Sequence, residues 1–179
     1  MSHLENLLHE YYLWQGYTVS RNKKVGRLSH GGYEGELDIV AYHPATGHLL
    51  HLEPSIDGHS WSTRESRYQK KFVAGKKYIF TDVFPWLDPA TALEQVAILV
   101  SCPASRTELA GAKVRTIDEF VQEIRDKIVQ EGLMSSRAIP EQFPLLRTIQ
   151  LVESGYYQKP LIKADDRKQP NKRLQTPPR

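Results

Sequence analysis

Two carboxylates on neighbouring predicted strands are the first candidates for chemistry. Residues 35–55, GELDIVAYHPATGHLLHLEPS, are typical of two strands joined by a turn, with Asp38 on the first strand and Glu53 on the second. The turn HPATG contains a proline and a glycine, as hairpin turns often do. If the strands pair, both carboxylates project toward one edge of a sheet. Magnesium usually takes one or two protein carboxylates, so the pair predicts a divalent-metal site.

The segments that must position these carboxylates predict a mixed α/β fold. Strand alternation places Glu36 and Asp38 on one face of their strand, and His51, Glu53 and Ser55 on one face of the next. The pattern along the chain predicts a helix over residues 2–16, strands at 17–25, 36–42 and 48–53, a helix over 62–79, strands at 95–102 and 112–117, a helix over 117–132 and a last helix at about 141–155.

The order of these motifs resembles a known group of proteins. The segments LENLLHEYYLWQGY, SRN, GELDIVAY, HLLHLEPS and RYQKKFVAGKK follow one another between about residues 4 and 80. In this order they resemble the PD-(D/E)XK, restriction-endonuclease-like superfamily, in particular its Holliday-junction-resolvase-like members and uncharacterised bacterial endonuclease-like members. The resemblance implies a restriction-endonuclease-like fold, a central mixed β-sheet flanked by helices.

The resemblance also implies an activity and a set of site residues. It implies a DNA endonuclease or repair-type nuclease that depends on Mg²⁺ or Mn²⁺ and acts on DNA, branched or damaged DNA included. Asp38 and Glu53 would hold the metal, Pro54 would offer its backbone carbonyl, and Glu5 of the first helix would assist. Many nucleases of this type act as dimers, so a homodimer is a further expectation. Because proline cannot donate in a sheet, we also expect the strand to end or kink at Pro54.

Position 55 departs from the pattern of the family. A lysine is expected two residues after the glutamate, where it orients the attacking water and stabilises charge on the phosphate, but the residue is Ser55. A substitute cation could come from the second helix, where Gln69, Lys70 and Lys71 lie. We expect Lys70 or Lys71 to reach the metal edge.

Several of these residues also have a structural interpretation. Ser2 and Glu5 fit the S-x-x-E capping box, in which each side chain satisfies a backbone N–H at the start of a helix. Asp38 could form a salt bridge to a lysine of the second helix. Glu53, followed by proline, could simply end an edge strand. If catalysis is lost with the lysine, the domain would bind nucleic acid or a protein partner without cleaving.

The basic residues of the second helix are candidates for phosphate contacts. Arg64, Arg67 and Lys71 fall near one face of that helix, and Lys77 lies further along it. Such a stripe could hold phosphates with little dependence on sequence, or it could be an ordinary solvated face.

Two histidines leave a third hypothesis open. HLEPSIDGHSW offers His51, Glu53, Asp57 and His59 as a transition-metal cluster or as the site of a histidine-assisted hydrolase, although Asp57 and the following glycine are typical of a turn.

The whole chain predicts one nuclease-like domain over residues 1–160 and a basic tail over 161–179. The chain carries a net charge of +3, and the tail has six basic residues against two acidic ones. The tail also contains proline and few apolar residues, so we expect it to be flexible; it could attract phosphates or be solvated. The lone Cys102 and the absence of a secretory signal or a long apolar run predict a cytoplasmic protein that does not enter a membrane.

Overall fold

Six strands form one mixed sheet with helices on both of its faces. The structure is a computed structural model that describes residues 2–156. Its strands are β1 (Thr18–Arg27), β2 (Tyr33–His43), β3 (His48–Ser55), β4 (Leu93–Leu99), β5 (Glu108–Leu109) and β6 (Ala112–Thr116). Its helices are α1 (His3–Trp14), α2 (Trp61–Tyr78), α3 (Ile117–Glu131) and α4 (Pro144–Glu153), and a π-helical turn (Ile79–Val83) follows α2.

The strand order in the sheet is β1-β2-β3-β4-β6-β5. The first three strands form an antiparallel meander, while β4 runs parallel to both β3 and β6, and β5 is an antiparallel edge strand. The prediction of an α/β fold with a mixed sheet flanked by helices is therefore confirmed. The short β5 was not predicted.

The two faces of the sheet have separate cores. Helices α1, α3 and α4 pack on one face, where Leu8, Ile39 and Phe120 belong to the largest buried cluster. Helix α2 packs on the other face, where Phe72 lies fully buried against the C-terminal half of β4. Since burial of apolar area drives this packing, α2 is held at a fixed place over β2, β3 and β4.

Strand β2 is irregular at Asp38. Leu37 and Val40 pack in the same cluster under α2, although strict alternation would place them on opposite faces. Asn22 of β1, which stands opposite Asp38, has a φ of +49°, and the pairing of β1 with β2 skips it. The expectation that Glu36 shares a face with Asp38 is wrong, because the alternation changes phase between Leu37 and Val40.

Strand β3 continues through Pro54, where we expected an end or a kink. Strand β3 pairs with β4 from Leu49 to Ser55, with Pro54 opposite Ile98. Its pairing with β2 stops earlier, at Leu52 opposite Ile39. Proline lacks the N–H that a strand with two partners would use. It is tolerated here because β2 has already separated from β3.

The later part of the chain follows its predicted pattern with shifted ends. The π-helical turn continues α2 to Val83, beyond the predicted end at residue 79, and α4 is shorter than the predicted 141–155. The predicted tail at 161–179 lies outside the described residues, and the boundary at residue 160 stays a prediction. Within residues 2–156, no helix is both long enough and apolar enough to cross a membrane.

Candidate active site

Asp38 and Glu53 meet at the ammonium group of Lys71. The Nζ atom of Lys71 donates a hydrogen bond to Oδ2 of Asp38 at 2.7 Å and another to Oε2 of Glu53. Strands β2 and β3 supply the carboxylates, and α2 supplies the lysine from the helix layer above them. Because a single ammonium group contacts both carboxylates, the two are close enough to share one cation.

Glu53 is held from several sides. Its Oε1 atom accepts hydrogen bonds from Nε2 of His51 at 2.8 Å and from the backbone N–H of Asp38 at 3.2 Å. The hydroxyl of Tyr68 donates to the backbone carbonyl of Glu53 at 3.3 Å. The side chain of Glu53 is only 1% exposed, so water does not replace these donors. The irregularity of β2 at Asp38 frees the N–H that binds Glu53.

The two carboxylates have opposite pKa shifts. Burial and the charge of Glu53 raise the pKa of Asp38 to about 8. Burial also raises the pKa of Glu53, but the hydrogen bond from His51 and the charge of Lys71 outweigh it and lower the pKa to about 2. Burial lowers the pKa of Lys71, but the two carboxylates raise it above its ordinary value. Glu53 is therefore the ionised partner of Lys71, and Asp38 is the carboxylate that takes up a proton.

Ser55 is bound to a neighbouring aspartate. Its Oγ atom donates to Oδ2 of Asp57 at 2.7 Å, and the same carboxylate accepts from Nε of Arg64 at 3.2 Å and from an Nη atom of Arg67 at 3.0 Å. A pocket of about 130 Å³ opens beside these groups, lined by Asp38, Pro54, Ser55, Asp57, Arg67, Tyr68 and Lys71. Asp38 therefore shares this pocket with two cations of α2, Arg67 and Lys71.

The geometry of α2 directs only one of the two candidate lysines toward the carboxylates. Lys71 reaches the carboxylates, whereas Lys70 and Gln69 are exposed and their side chains form no hydrogen bond or ion pair with any residue of 2–156. Successive residues lie about 100° apart around a helix, so only one of two neighbours can face the site. Of the two lysines that we expected to reach the metal edge, the structure brings Lys71 to the carboxylates and leaves Lys70, like Gln69, away from them.

The predicted phosphate-binding residues also divide. Arg64 is buried and binds the carboxylate of Asp57 and the carbonyl of Ser101, so its inclusion among the phosphate contacts is wrong. Arg67 also pairs with Asp57, at 3.0 Å, but its side chain is 52% exposed and lines the pocket. Lys77 is exposed but forms an ion pair with Glu34 at 2.9 Å, far along α2 from the carboxylates.

Glu5 lies in the first turn of α1, on the opposite face of the sheet from α2. Its backbone N–H donates to Oγ of Ser2 at 3.1 Å, which is one half of the expected capping box. Its side chain forms no hydrogen bond or ion pair with another described residue. The assisting role of Glu5 stays a prediction.

The two histidines do not form a common site. His51 is fully buried between Glu53 and Gln95, whereas His59 lies in the exposed loop before α2 and donates its backbone N–H to Asp57 at 3.3 Å. The burial of His51 does not favour a histidine-assisted hydrolase, which stays an untested hypothesis.

Gln95 is a site residue that the sequence analysis missed. It contacts His51 although 44 residues separate them, which no local pattern shows. A signal was present, since a glutamine stands at the start of the apolar run QVAILVSC of β4. A buried amide requires partners, so a polar residue in such a run points to a structured contact.

The donor set fits a hard cation better than a transition metal. No group of three or more His, Cys, Asp or Glu side chains within residues 2–156 could hold a metal ion. Zinc sites usually use three or four such ligands. Magnesium needs only one or two carboxylates, and Asp38 and Glu53 already share the cationic group of Lys71.

No family model, curated protein or solved structure matches the chain.

Proposed function

We propose that this chain is a Mg²⁺- or Mn²⁺-dependent DNA nuclease of restriction-endonuclease-like fold, in which Lys71 replaces the lysine expected at position 55. One observation carries the proposal. The ammonium of Lys71 contacts the carboxylates of Asp38 and Glu53 at the pocket that Ser55 also lines. The cation that the family pattern places on a strand is thus supplied from the neighbouring helix.

Each residue of the pocket would have its own role in phosphodiester hydrolysis. Asp38 and Glu53 would hold the metal ion, and the oxygens that now accept from Lys71, Oδ2 of Asp38 and Oε2 of Glu53, lie on the side of the pair where positive charge is bound. The carbonyl of Pro54, at the edge of the pocket, is the third oxygen that the resemblance implies. A bound Mg²⁺ would neutralise charge on the scissile phosphate and activate water. Lys71 supplies the positive charge that Ser55 lacks, and it stabilises negative charge on the phosphate.

Arg67 is the residue that favours a phosphate-containing substrate. It lies one helical turn before Lys71, is 52% exposed, and lines the same pocket. Asp57 holds its guanidinium at 3.0 Å, which reduces the entropy that the side chain loses when it binds a phosphate. Guanidinium groups bind phosphate oxygens in pairs, so Arg67 positions the DNA backbone and carries no base preference.

Binding without cleavage is the second candidate function. It is favoured by the fact that Lys71 pairs with both carboxylates at once, so that the three side chains also form a satisfied structural ion cluster. In that case Arg67 and Lys71 hold nucleic acid, and no metal is needed.

One experiment separates the two functions. The purified protein is incubated with plasmid, single-stranded and branched DNA, in Mg²⁺ and in Mn²⁺, beside Asp38→Asn, Glu53→Gln and Lys71→Met. We expect cleavage by the wild type, and a loss of about 100-fold or more in each variant, as for removal of a key electrostatic group. Lys70→Met is the matched control and should cleave like the wild type. DNA binding without cleavage would favour the second candidate, and cleavage that survives Asp38→Asn and Glu53→Gln would contradict the proposed site.

A further inference from the structure

The geometry points to Gln95 as a positioning residue for Glu53, acting through the ring of His51. The consequence for catalysis rests on the proposed function, whereas the hydrogen-bond relay itself does not. Gln95 of β4, His51 and Glu53 of β3 are 7%, 0% and 1% exposed. Their hydrogen bonds are therefore made within the protein and not with water.

The relay begins at a backbone carbonyl of α2. The side-chain Nε2 of Gln95 lies 2.9 Å from the carbonyl oxygen of Phe72. A carbonyl only accepts hydrogen bonds, so the NH₂ group of the amide, and not its oxygen, must face the helix. The same nitrogen lies 3.0 Å from Nδ1 of His51, so its second hydrogen is donated to the ring.

The orientation of Gln95 fixes the tautomer of His51. Since Nδ1 accepts from the amide, the ring hydrogen stands on Nε2. That nitrogen lies 2.8 Å from Oε1 of Glu53 and donates to it. The carbonyl oxygen of Phe72 thus orients the amide of Gln95, and the amide in turn fixes the His51 tautomer that donates to Glu53.

The two oxygens of Glu53 acquire separate tasks. Oε1 receives the N–H groups of His51 and Asp38, whereas Oε2 receives the cationic group of Lys71. The carboxylate is therefore held in one rotational state, with Oε2 directed at the place for positive charge. Partners that orient metal ligands in this way typically change metal affinity or activity by about 10–100-fold when they are removed.

Gly75 is an independent sign that α2 is shaped around the ring of His51. A Cβ atom at position 75 would lie 2.3 Å from Nδ1 of His51 and 3.0 Å from Nε2 of Gln95. Glycine is a poor helix former, so its place inside α2 needs a reason, and the close approach of the ring supplies one. Gly75→Ala must move the imidazole or the helix, and either change disturbs the relay.

The first test reads the tautomer and requires no activity. Long-range ¹H–¹⁵N spectra of the histidine side chains, assigned with His51→Gln, should show hydrogen on Nε2 of His51. Gln95→Leu should shift the ring toward the Nδ1–H form or a mixture. Gln150→Leu is the matched control, because Gln150 is also buried and binds the backbone of Ile139 far from the site.

The second test reads the consequence for the metal and the reaction. Gln95→Leu should weaken Mg²⁺ binding, measured by calorimetry, about 10–100-fold and should lower kcat similarly. The KM for DNA should stay within about twofold, because Gln95 does not reach the pocket. His51→Gln, whose amide can still donate to Glu53, should retain most of the activity, whereas His51→Leu should not. Gly75→Ala should resemble Gln95→Leu, and Gly58→Ala, which has open space around it, should be neutral.

The outcomes separate the relay from the proposed function. Hydrogen on Nδ1 of His51 in the wild type would overturn the relay, and so would an unchanged tautomer in Gln95→Leu. Equal loss of Mg²⁺ affinity in Gln95→Leu and Gln150→Leu would also overturn it, since only general stability would then be at work. A wild type that has the expected tautomer but neither binds Mg²⁺ nor cleaves DNA would contradict the proposed function and the catalytic consequence, and would leave the relay as the means by which Glu53 is held toward Lys71.

Discussion

At the scale of single residues, Lys71 allows two carboxylates to lie together at the edge of a buried site. Glu53 is 1% and Asp38 16% exposed, so when Asp38 is also ionised the repulsion between the two carboxylates is only weakly screened by water. The ammonium group offsets this repulsion, and the same charge is the one that a phosphate would use. The contact of Lys71 with the two carboxylates therefore stabilises the site, and under the proposed function the same ammonium group would also act on the phosphate.

Removal of this cation should destabilise the metal-free protein. Breaking a buried ion pair usually costs about 3–5 kcal/mol, and because Lys71 is one-third exposed we expect Lys71→Met to lower the free energy of unfolding by about 2 kcal/mol. Urea denaturation in EDTA measures this change. Lys70→Met should stay within about 0.5 kcal/mol of the wild type. Equal stability of the two variants would show that Lys71 contributes no more than a surface lysine.

Asp38 should make the stability of the metal-free protein fall as the pH rises. Its ordinary pKa is 3.8 and its pKa in the folded protein is about 8, so between these values the folded state keeps a proton that the unfolded state has lost. The free energy of unfolding therefore decreases through this range and is fully reduced above it. Urea denaturation at pH 5, 6, 7 and 8 should show this slope, and Asp38→Asn should flatten it. Parallel slopes in the two proteins would contradict the raised pKa.

The sequence could predict the meeting of the carboxylates but not the rest of their surroundings. Alternation along two strands of a hairpin brings Asp38 and Glu53 to one edge, and this needs only local pattern. The choice of Lys71 over Lys70 depends on the rotation of α2 about its axis, which packing of the helix on the sheet determines. The contact of His51 with Gln95 joins two strands that pair in parallel, so it depends on the sheet order.

At the scale of elements, the end of α2 fastens the long β1–β2 hairpin to the helix layer. The π-helical turn brings Asp82 to β1, where its Oδ2 accepts the backbone N–H of Gly26 at 2.8 Å. The ring of Tyr78 covers Gly26 so closely that a Cβ atom there would lie 2.6 Å from it. The sequence of residues 62–79 predicted the helix, but the π-helical turn accompanies this tertiary contact, which no local sequence pattern contains.

Gly26→Ala should loosen this attachment. Position 26 has a φ of +68°, and an alanine would both strain the backbone and collide with Tyr78. We expect a loss of about 2–5 kcal/mol in the free energy of unfolding, as the sum of left-handed strain and overpacking. Gly32→Ala is the matched control, because its φ is +87° but nothing lies within 4 Å, so it should lose only the strain of about 1–2 kcal/mol. Equal losses in urea denaturation would show that the contact with Tyr78 adds nothing.

At the scale of the whole molecule, the charge is divided between the tail and the rest of the chain. The net charge is +3, while residues 161–179 alone carry six basic and two acidic side chains, which leaves about −1 for residues 1–160. The pocket has two local cations, Arg67 and Lys71, but the surrounding domain has no excess of positive charge. Long-range attraction to DNA must then come mainly from the tail, if the chain binds DNA as proposed.

A chain that ends at residue 160 should therefore bind DNA more weakly and with less dependence on salt. Each phosphate neutralised contributes about 0.9 to the slope of log affinity against log salt for duplex DNA, so six basic residues can supply a slope of up to about 5. Fluorescence anisotropy with a labelled duplex between 50 and 200 mM salt measures this slope, at a Ca²⁺ concentration that holds DNA without cleavage.

The matched control is the full-length chain with the six basic tail residues replaced by glutamine, which should behave like the truncated chain if charge alone acts. An unchanged slope in both proteins would show that the tail is only solvated and that Arg67, Lys71 and their neighbours carry the binding. A loss of DNA affinity in the truncated chain alone would assign the contribution of the tail to contacts other than charge.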